Sequence, residues 1–102
     1  MEKRKAHHDL AAIQSLFANG NGPMTRTAIR SAQAIGYLPS EICEVICELE
    51  PKHFVKSATA HNPVNPNCWH DTYIFDDVEI ELFIKFAGED IENIVLTSFK
   101  ER

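Results

Sequence analysis

Val78-Glu79-Ile80-Glu81-Leu82-Phe83-Ile84-Lys85-Phe86 alternates apolar and polar residues almost without interruption. Side chains of a strand point to opposite faces in turn, so this period predicts a strand with Val78, Ile80, Leu82, Ile84 and Phe86 on a buried face. Glu79, Glu81, Phe83 and Lys85 fall on the opposite face. Upstream, residues 69–75 alternate as well, with Trp69, Asp71, Tyr73 and Phe75 on one side and His70, Thr72 and Ile74 on the other. Asp76-Asp77 marks a tight connection between these two strands. Downstream, Ala87-Gly88-Glu89-Asp90 leads into a last strand through Ile94, Val95, Leu96 and Phe99. Connections this short make the three strands antiparallel neighbours. Phe54 to Ala60 is a further strand, and the prolines of the following segment 61–67 predict a loop.

The first half carries a different period. Asp9 caps a predicted helix whose Leu10, Ile13, Leu16 and Phe17 recur at three- and four-residue spacing. The run Asn19-Gly20-Asn21-Gly22-Pro23 stops it, with Gly20 at the left-handed position. Thr25 caps a second helix with Ala28, Ile29, Ala32 and Ile35 inward, closed by Gly36. Pro39-Ser40 opens a third, with Ile42, Val45, Ile46 and Leu49 inward, and Pro51 helps end it. Helices first and hairpin-linked strands second give an α+β fold, with N-terminal helices packed on one face of a C-terminal antiparallel sheet.

Composition agrees with one domain over residues 1–102. The chain is 44% hydrophobic and 25% charged, ordinary for a globular protein. Its apolar runs are far shorter than the roughly 20 residues of a membrane span. Met1 to Lys5 leads into His7-His8-Asp9, which is not a leader pattern, and three cysteines without framework spacing read as reduced thiols; both predict a cytoplasmic protein. The net charge of −5 argues against broad nonspecific nucleic-acid binding. Its distribution is uneven: residues 1–56 hold seven basic and six acidic groups, residues 57–102 three and nine. Any site for a polyanion is therefore local, made of a few placed cations.

Phe83 is the anomaly that points to such a site. Its strand fills the buried face without it, so the ring stands on the open face between Glu81 and Lys85. Aromatic rings beside cations hold single-stranded RNA by stacking bases while the cations meet phosphates. Cross-strand packing or a protein interface uses the same residue types, and the strand alone leaves these alternatives open. Lys56 and Lys100 fall in predicted strands, where lysine is depleted, and an inward Phe99 puts Lys100 outward. Solvated strand positions explain them equally well. His70 faces the open side if Trp69 is buried, and an imidazole with an ordinary pKa of about 6.5 exchanges protons near neutrality.

Other clusters carry less. Cys43 and Cys47 stand at i,i+4 beside the third helix's apolar face, but no second ligand pair completes a metal site, and buried thiols are the simpler reading. Cys68 has no activating neighbour in sequence. His7-His8-Asp9 reads as a helix cap. No Walker, G-x-S-x-G or H-E-x-x-H pattern is present.

Several short motifs, in order along the chain, resemble one family. Met1-Glu2-Lys3-Arg4 with His7 and Leu10 is similar to its start, Thr25-Arg26-Thr27-Ala28 to its T-R-S-A and Ile35-Gly36 to its L-G. Phe54-Val55-Lys56-Ser57 resembles F-Y-K-S, and Trp69-His70-Asp71-Thr72-Tyr73 resembles W-Q-D-V-Y. Leu82-Phe83-Ile84-Lys85 is similar to V-Y-L-K, and Ser98-Phe99-Lys100-Glu101-Arg102 to S-F-K-E-K. On these motifs the chain is identified as a member of the MqsR (motility quorum-sensing regulator) toxins of bacterial type II toxin–antitoxin systems.

The resemblance implies a RelE-like fold and a metal-independent endoribonuclease, an mRNA interferase that inhibits translation and growth. It implies RNA as substrate, on or off the ribosome, and no cofactor. It also implies neutralisation by an antitoxin resembling MqsA, a zinc-binding protein with a helix-turn-helix part, so that DNA is reached only through the partner. The family's catalytic Lys, Gln, Tyr and Lys fall on Lys56, His70, Phe83 and Lys100. The amide has become an imidazole and the phenol has lost its hydroxyl. Catalysis is therefore expected from Lys56, His70 and Lys100, with Phe83 and Lys85 binding substrate. Nearby lysines are expected to lower the His70 pKa and favour its base form. Two alternatives remain: an RNA- or ribosome-binding relative without strong catalysis, and a module that binds only an antitoxin.

Overall fold

The computed structural model describes residues 1–61 and 64–102. Strand β1 (Glu2–Lys3) comes first, then helices α1 (Leu10–Phe17), α2 (Arg26–Ala34) and α3 (Pro39–Glu48). Strands β2 (Phe54–His61), β3 (Val64–Asp77), β4 (Ile80–Gly88) and β5 (Val95–Glu101) follow, with short 3-10 turns before β2 and β5. The five strands form one antiparallel sheet in the order β1-β2-β3-β4-β5. The α+β architecture is the one the two hydrophobic periods predict. No helix among the described residues is long and apolar enough to cross a membrane.

Each helix begins where the sequence supplies an acceptor for its free amides. Asp9 takes the Ala12 N–H at 3.1 Å, and Thr25 takes that of Ala28 at 3.1 Å. At α3, with Pro39 in its first turn, the Glu41 carboxylate reaches back to the Leu38 N–H at 2.9 Å. The α2 helix ends in Gly36 at φ +92°, which turns the chain so that the Tyr37 N–H bonds the Ala32 carbonyl at 2.9 Å.

The core lies between the helices and one face of the sheet. Ile13 and Phe17 from α1, Ala28 and Ala32 from α2, and Ile42 and Ile46 from α3 are fully buried. They meet Tyr73, Leu82, Ile84, Phe86, Leu96 and Phe99 from the strands. At about 1.5–3 kcal/mol for each large apolar side chain, this layer supplies the main driving force for the fold. Asp71 is the exception on that face. Its buried carboxylate accepts the backbone N–H groups of His8 (2.9 Å) and His7 (3.3 Å) and the Ser57 hydroxyl. It fastens the segment between β1 and α1, and strand β2, to β3.

Several local expectations give way. Val78 is not a strand residue: β3 runs on through Asp77, which pairs with Ile80, and Val78-Glu79 form the two-residue turn. Val78 is 97% exposed at φ +61°. The predicted loop is likewise too long. His61 ends β2 and Val64 begins β3, whereas Asn62 and Pro63 lie outside the described residues. Pro66 is accommodated because the register jumps from Thr59↔Trp69 to Ala60↔Asn65, leaving residues 66–68 in a bulge that needs no proline N–H. Cys43 is buried as expected, but Cys47 is exposed, one helical turn further round the edge of the apolar stripe. Leu16 is 37% exposed, and Ile29 and Ile35 are only half-buried. The last strand starts at Val95, with buried Ile94 closing the preceding 3-10 turn.

Candidate active site

The sheet face away from the helices is where the candidate residues gather. On β2 the register shifts between Phe54 and Lys56, so that Phe54 faces Tyr73 in the core while Lys56 is paired with Thr72 on the open face. One row across the sheet then reads Lys56, Thr72, Lys85, Ser98. The next row reads Ala58, His70, Ala87, and the row on the other side Ile74, Phe83, Lys100. Alternation in four strands, set by the core on the far side, thus puts Lys56, His70, Phe83, Lys85 and Lys100 on one surface.

A cleft of about 250 Å³ opens there, lined by Lys56, His70, Thr72 and Lys85 together with Glu2, Thr59 and His61. His70 has alanines on both flanking strands, so nothing bulky stands over its ring within its row. Thr72 is buried although it faces outward, because Lys56 and Lys85 rise on either side. The Lys85 and Lys100 ammonium groups each lie 5.4 Å from the centre of the Phe83 ring, within cation–π range. Lys100 stands one row beyond the cleft and does not line it.

Electrostatics distinguishes the groups. Burial holds the His70 pKa below the ordinary histidine value, and the Lys85 ammonium lowers it further, with Asp71 opposing. The expectation of a lowered value is met, although burial outweighs the lysine and that lysine is Lys85. The Lys85 pKa is itself lowered, first by burial and then by repulsion from Lys56 and Lys100. Lys56 has a counter-charge: its ammonium lies 3.3 Å from a Glu2 carboxylate oxygen. An imidazole of lowered pKa, clustered ammonium groups and a half-buried ring on the open face suit a phosphodiester flanked by bases.

Sequence reasoning missed Glu2. A two-residue edge strand has no periodicity to read, and only its pairing with Ala58 brings the carboxylate to Lys56. His7 and His8 lie on the other side of the sheet: His7 stacks on Trp69 at 5.0 Å, and His8 Nε2 is 3.3 Å from the Trp69 carbonyl oxygen. Among the described residues no group of three or more His, Cys, Asp or Glu side chains is placed to hold a metal.

Fold and site together define a small α+β protein with a cationic cleft on the open face of its sheet. The family described as motility quorum-sensing regulator, toxin of MqsA, matches residues 5–101, and the chain belongs to that family. Over 102 residues, the full length of both proteins, it is 30% identical to the mRNA interferase toxin MqsR of Escherichia coli (strain K12).

Proposed function

We propose that the chain, acting as one domain over residues 1–102, is a cytoplasmic, metal-independent endoribonuclease toxin that cleaves mRNA and is held in check by an antitoxin resembling MqsA. The observation that carries this reading is the meeting of Lys56, His70 and Lys85 in one cleft, beside Phe83 and Lys100. Family membership supports it, as does the name of the Escherichia coli relative.

In this reading a ribose 2′-hydroxyl attacks the adjacent phosphorus. The neutral His70 imidazole takes its proton; a positioned base contributes about 10²–10⁴ in rate. Lys56 and Lys100 stabilise the negative charge that builds on the phosphoryl oxygens. Phe83 stacks a base but, lacking a hydroxyl, moves no proton. Lys85 binds the phosphate between the other cations. The products are a 2′,3′-cyclic phosphate and a 5′-hydroxyl end.

The test is to map transcript ends after incubation with the pure chain, wild type against Lys56→Ala. New 5′-hydroxyl ends with wild type that vanish in the variant are expected. A transcript left intact by the wild type removes the reading.

A further inference from the structure

Cleavage by internal attack needs two proton transfers, and the roles above assign only one. The departing 5′-oxygen is a poor leaving group unless it is protonated as its bond to phosphorus breaks. Phe83 cannot supply that proton, and His70 is occupied with the 2′-hydroxyl.

We infer that the Lys85 ammonium is the general acid, donating its proton to the 5′-oxygen. The inference rests on the ribonuclease reading of this cleft and adds a chemical role to a residue otherwise assigned only to binding. Geometry separates Lys85 from the other two lysines. Lys56 is held 3.3 Å from the Glu2 carboxylate, which occupies its ammonium. Lys100 is exposed and stands beyond the cleft, opposite Phe83. Lys85 lines the cleft, is half-buried, and among the described residues forms no ion pair.

Its position relative to His70 also fits. Lys85 pairs with Thr72, and His70 with Ala87, so the two are diagonal neighbours on adjacent strands, with Cα atoms about 7–8 Å apart. That spacing leaves room for a phosphate, with the imidazole towards the 2′-oxygen and the ammonium towards the 5′-oxygen. The titratable groups around Lys85 are Lys56 and His61 on β2, His70 on β3, Lys100 on β5 and the Glu2 carboxylate at the cleft rim. Partial burial, and after it the two lysines, make this ammonium readier to release a proton than an ordinary lysine, the direction a general acid requires.

The step balances. The 2′-oxygen bonds to phosphorus as its proton passes to His70. The bond from phosphorus to the 5′-oxygen breaks as that oxygen takes a proton from Lys85 Nζ. The resulting imidazolium and amine then exchange protons with water.

The experiment compares wild type, Lys85→Arg and Lys85→Ala on two oligoribonucleotides spanning a mapped cut site. One is natural; the other has sulfur in place of the bridging 5′-oxygen, a leaving group that needs no protonation. Arginine keeps the charge but does not give up a proton near neutrality. Lys85→Arg is expected to slow cleavage of the natural RNA by about 10²–10⁴-fold, to cut the sulfur-bridged RNA near the wild-type rate, and to bind a 2′-deoxy analogue as wild type does. Lys85→Ala is expected to show the same recovery on the sulfur-bridged RNA, on top of weaker binding. Equal slowing on both RNAs, or undiminished cleavage of the natural one, overturns the assignment. A wild-type chain that cuts no RNA removes the ribonuclease reading, and the acid with it.

Discussion

The Glu2 carboxylate on the edge strand lies 3.3 Å from the Lys56 ammonium, inside the cleft that also holds His70 and Lys85. Both partners are about half exposed, so the pair contributes little to folding. Its expected effect is on the site: a phosphate bound there would compete with the carboxylate for Lys56 and be repelled by it. Glu2→Gln is expected to tighten binding of a 2′-deoxy RNA analogue about two- to fivefold at low salt, with stability changed by less than about 0.5 kcal/mol. Fluorescence anisotropy measures the first and denaturant unfolding the second. Unchanged or weaker binding would show that Glu2 does not compete.

In the proposed reaction His70 supplies the acid limb: the neutral ring is the reactive form, so cleavage is expected to rise with pH through the pKa of the folded protein. Burial and then Lys85 place that value below the ordinary 6.5, and the acid-side midpoint of kcat/KM is expected there. His70→Ala is expected to abolish cleavage while the circular dichroism spectrum stays that of the wild type. A midpoint at or above 6.5, or retained cleavage by the variant, rejects the role.

Stability carries a related signature. His7, bonded to Lys3 Nζ at 3.0 Å and stacked on Trp69, also has a lowered pKa, chiefly through burial and then Lys3. For both histidines the unfolded chain therefore binds protons first as the solution is acidified. Their contribution to stability is complete above about pH 6.5 and is lost as pH falls through the lower folded values. The urea midpoint should drop between pH 7 and pH 5, and the double substitution His7→Gln, His70→Gln should flatten that drop. An equal slope in wild type and variant counts against the argument.

Asp71→Ala is expected to cost about 3 kcal/mol, because it removes a buried acceptor from two backbone N–H groups and the Ser57 hydroxyl. Denaturant unfolding reads this directly. A loss below about 1 kcal/mol would mean that those donors find other partners.

Val78 occupies a backbone conformation that a β-branched residue strongly disfavours, with its side chain 97% exposed and nothing to lose by deletion. Val78→Gly should therefore raise stability by about 0.5–1 kcal/mol, the left-handed penalty relieved less the extra entropy of glycine. A lower thermal midpoint would contradict this.

The fold was largely legible because two different hydrophobic periods occupy the two halves of the chain, and each element burying a full stripe obeyed its own. Phe83, Lys85 and His70 could be set on the open face from alternation alone, since Leu82, Ile84 and Asp71 beside them face the core. Legibility failed where tertiary pairing decides. Val78 continues the alternation yet is expelled into the turn, because β3 extends through Asp77 and closes the hairpin there. Pro66 looks like a strand breaker but sits in a bulge. Which lysine stands nearest His70 depends on strand register, which the linear sequence does not display; motif likeness gave Lys100 a catalytic place, while the register brings Lys85 to the cleft and leaves Lys100 a row away.

Because the cleft borrows from residues 56, 70 and 85, with 100 beside it, no contiguous fragment shorter than nearly half the chain can contain the whole constellation. A polypeptide interrupted before its final strand pairs carries the helices and strands β1 to β4 but lacks Lys100. The constellation is therefore completed last of all, when β5 pairs with β4 and sets Lys100 opposite Phe83.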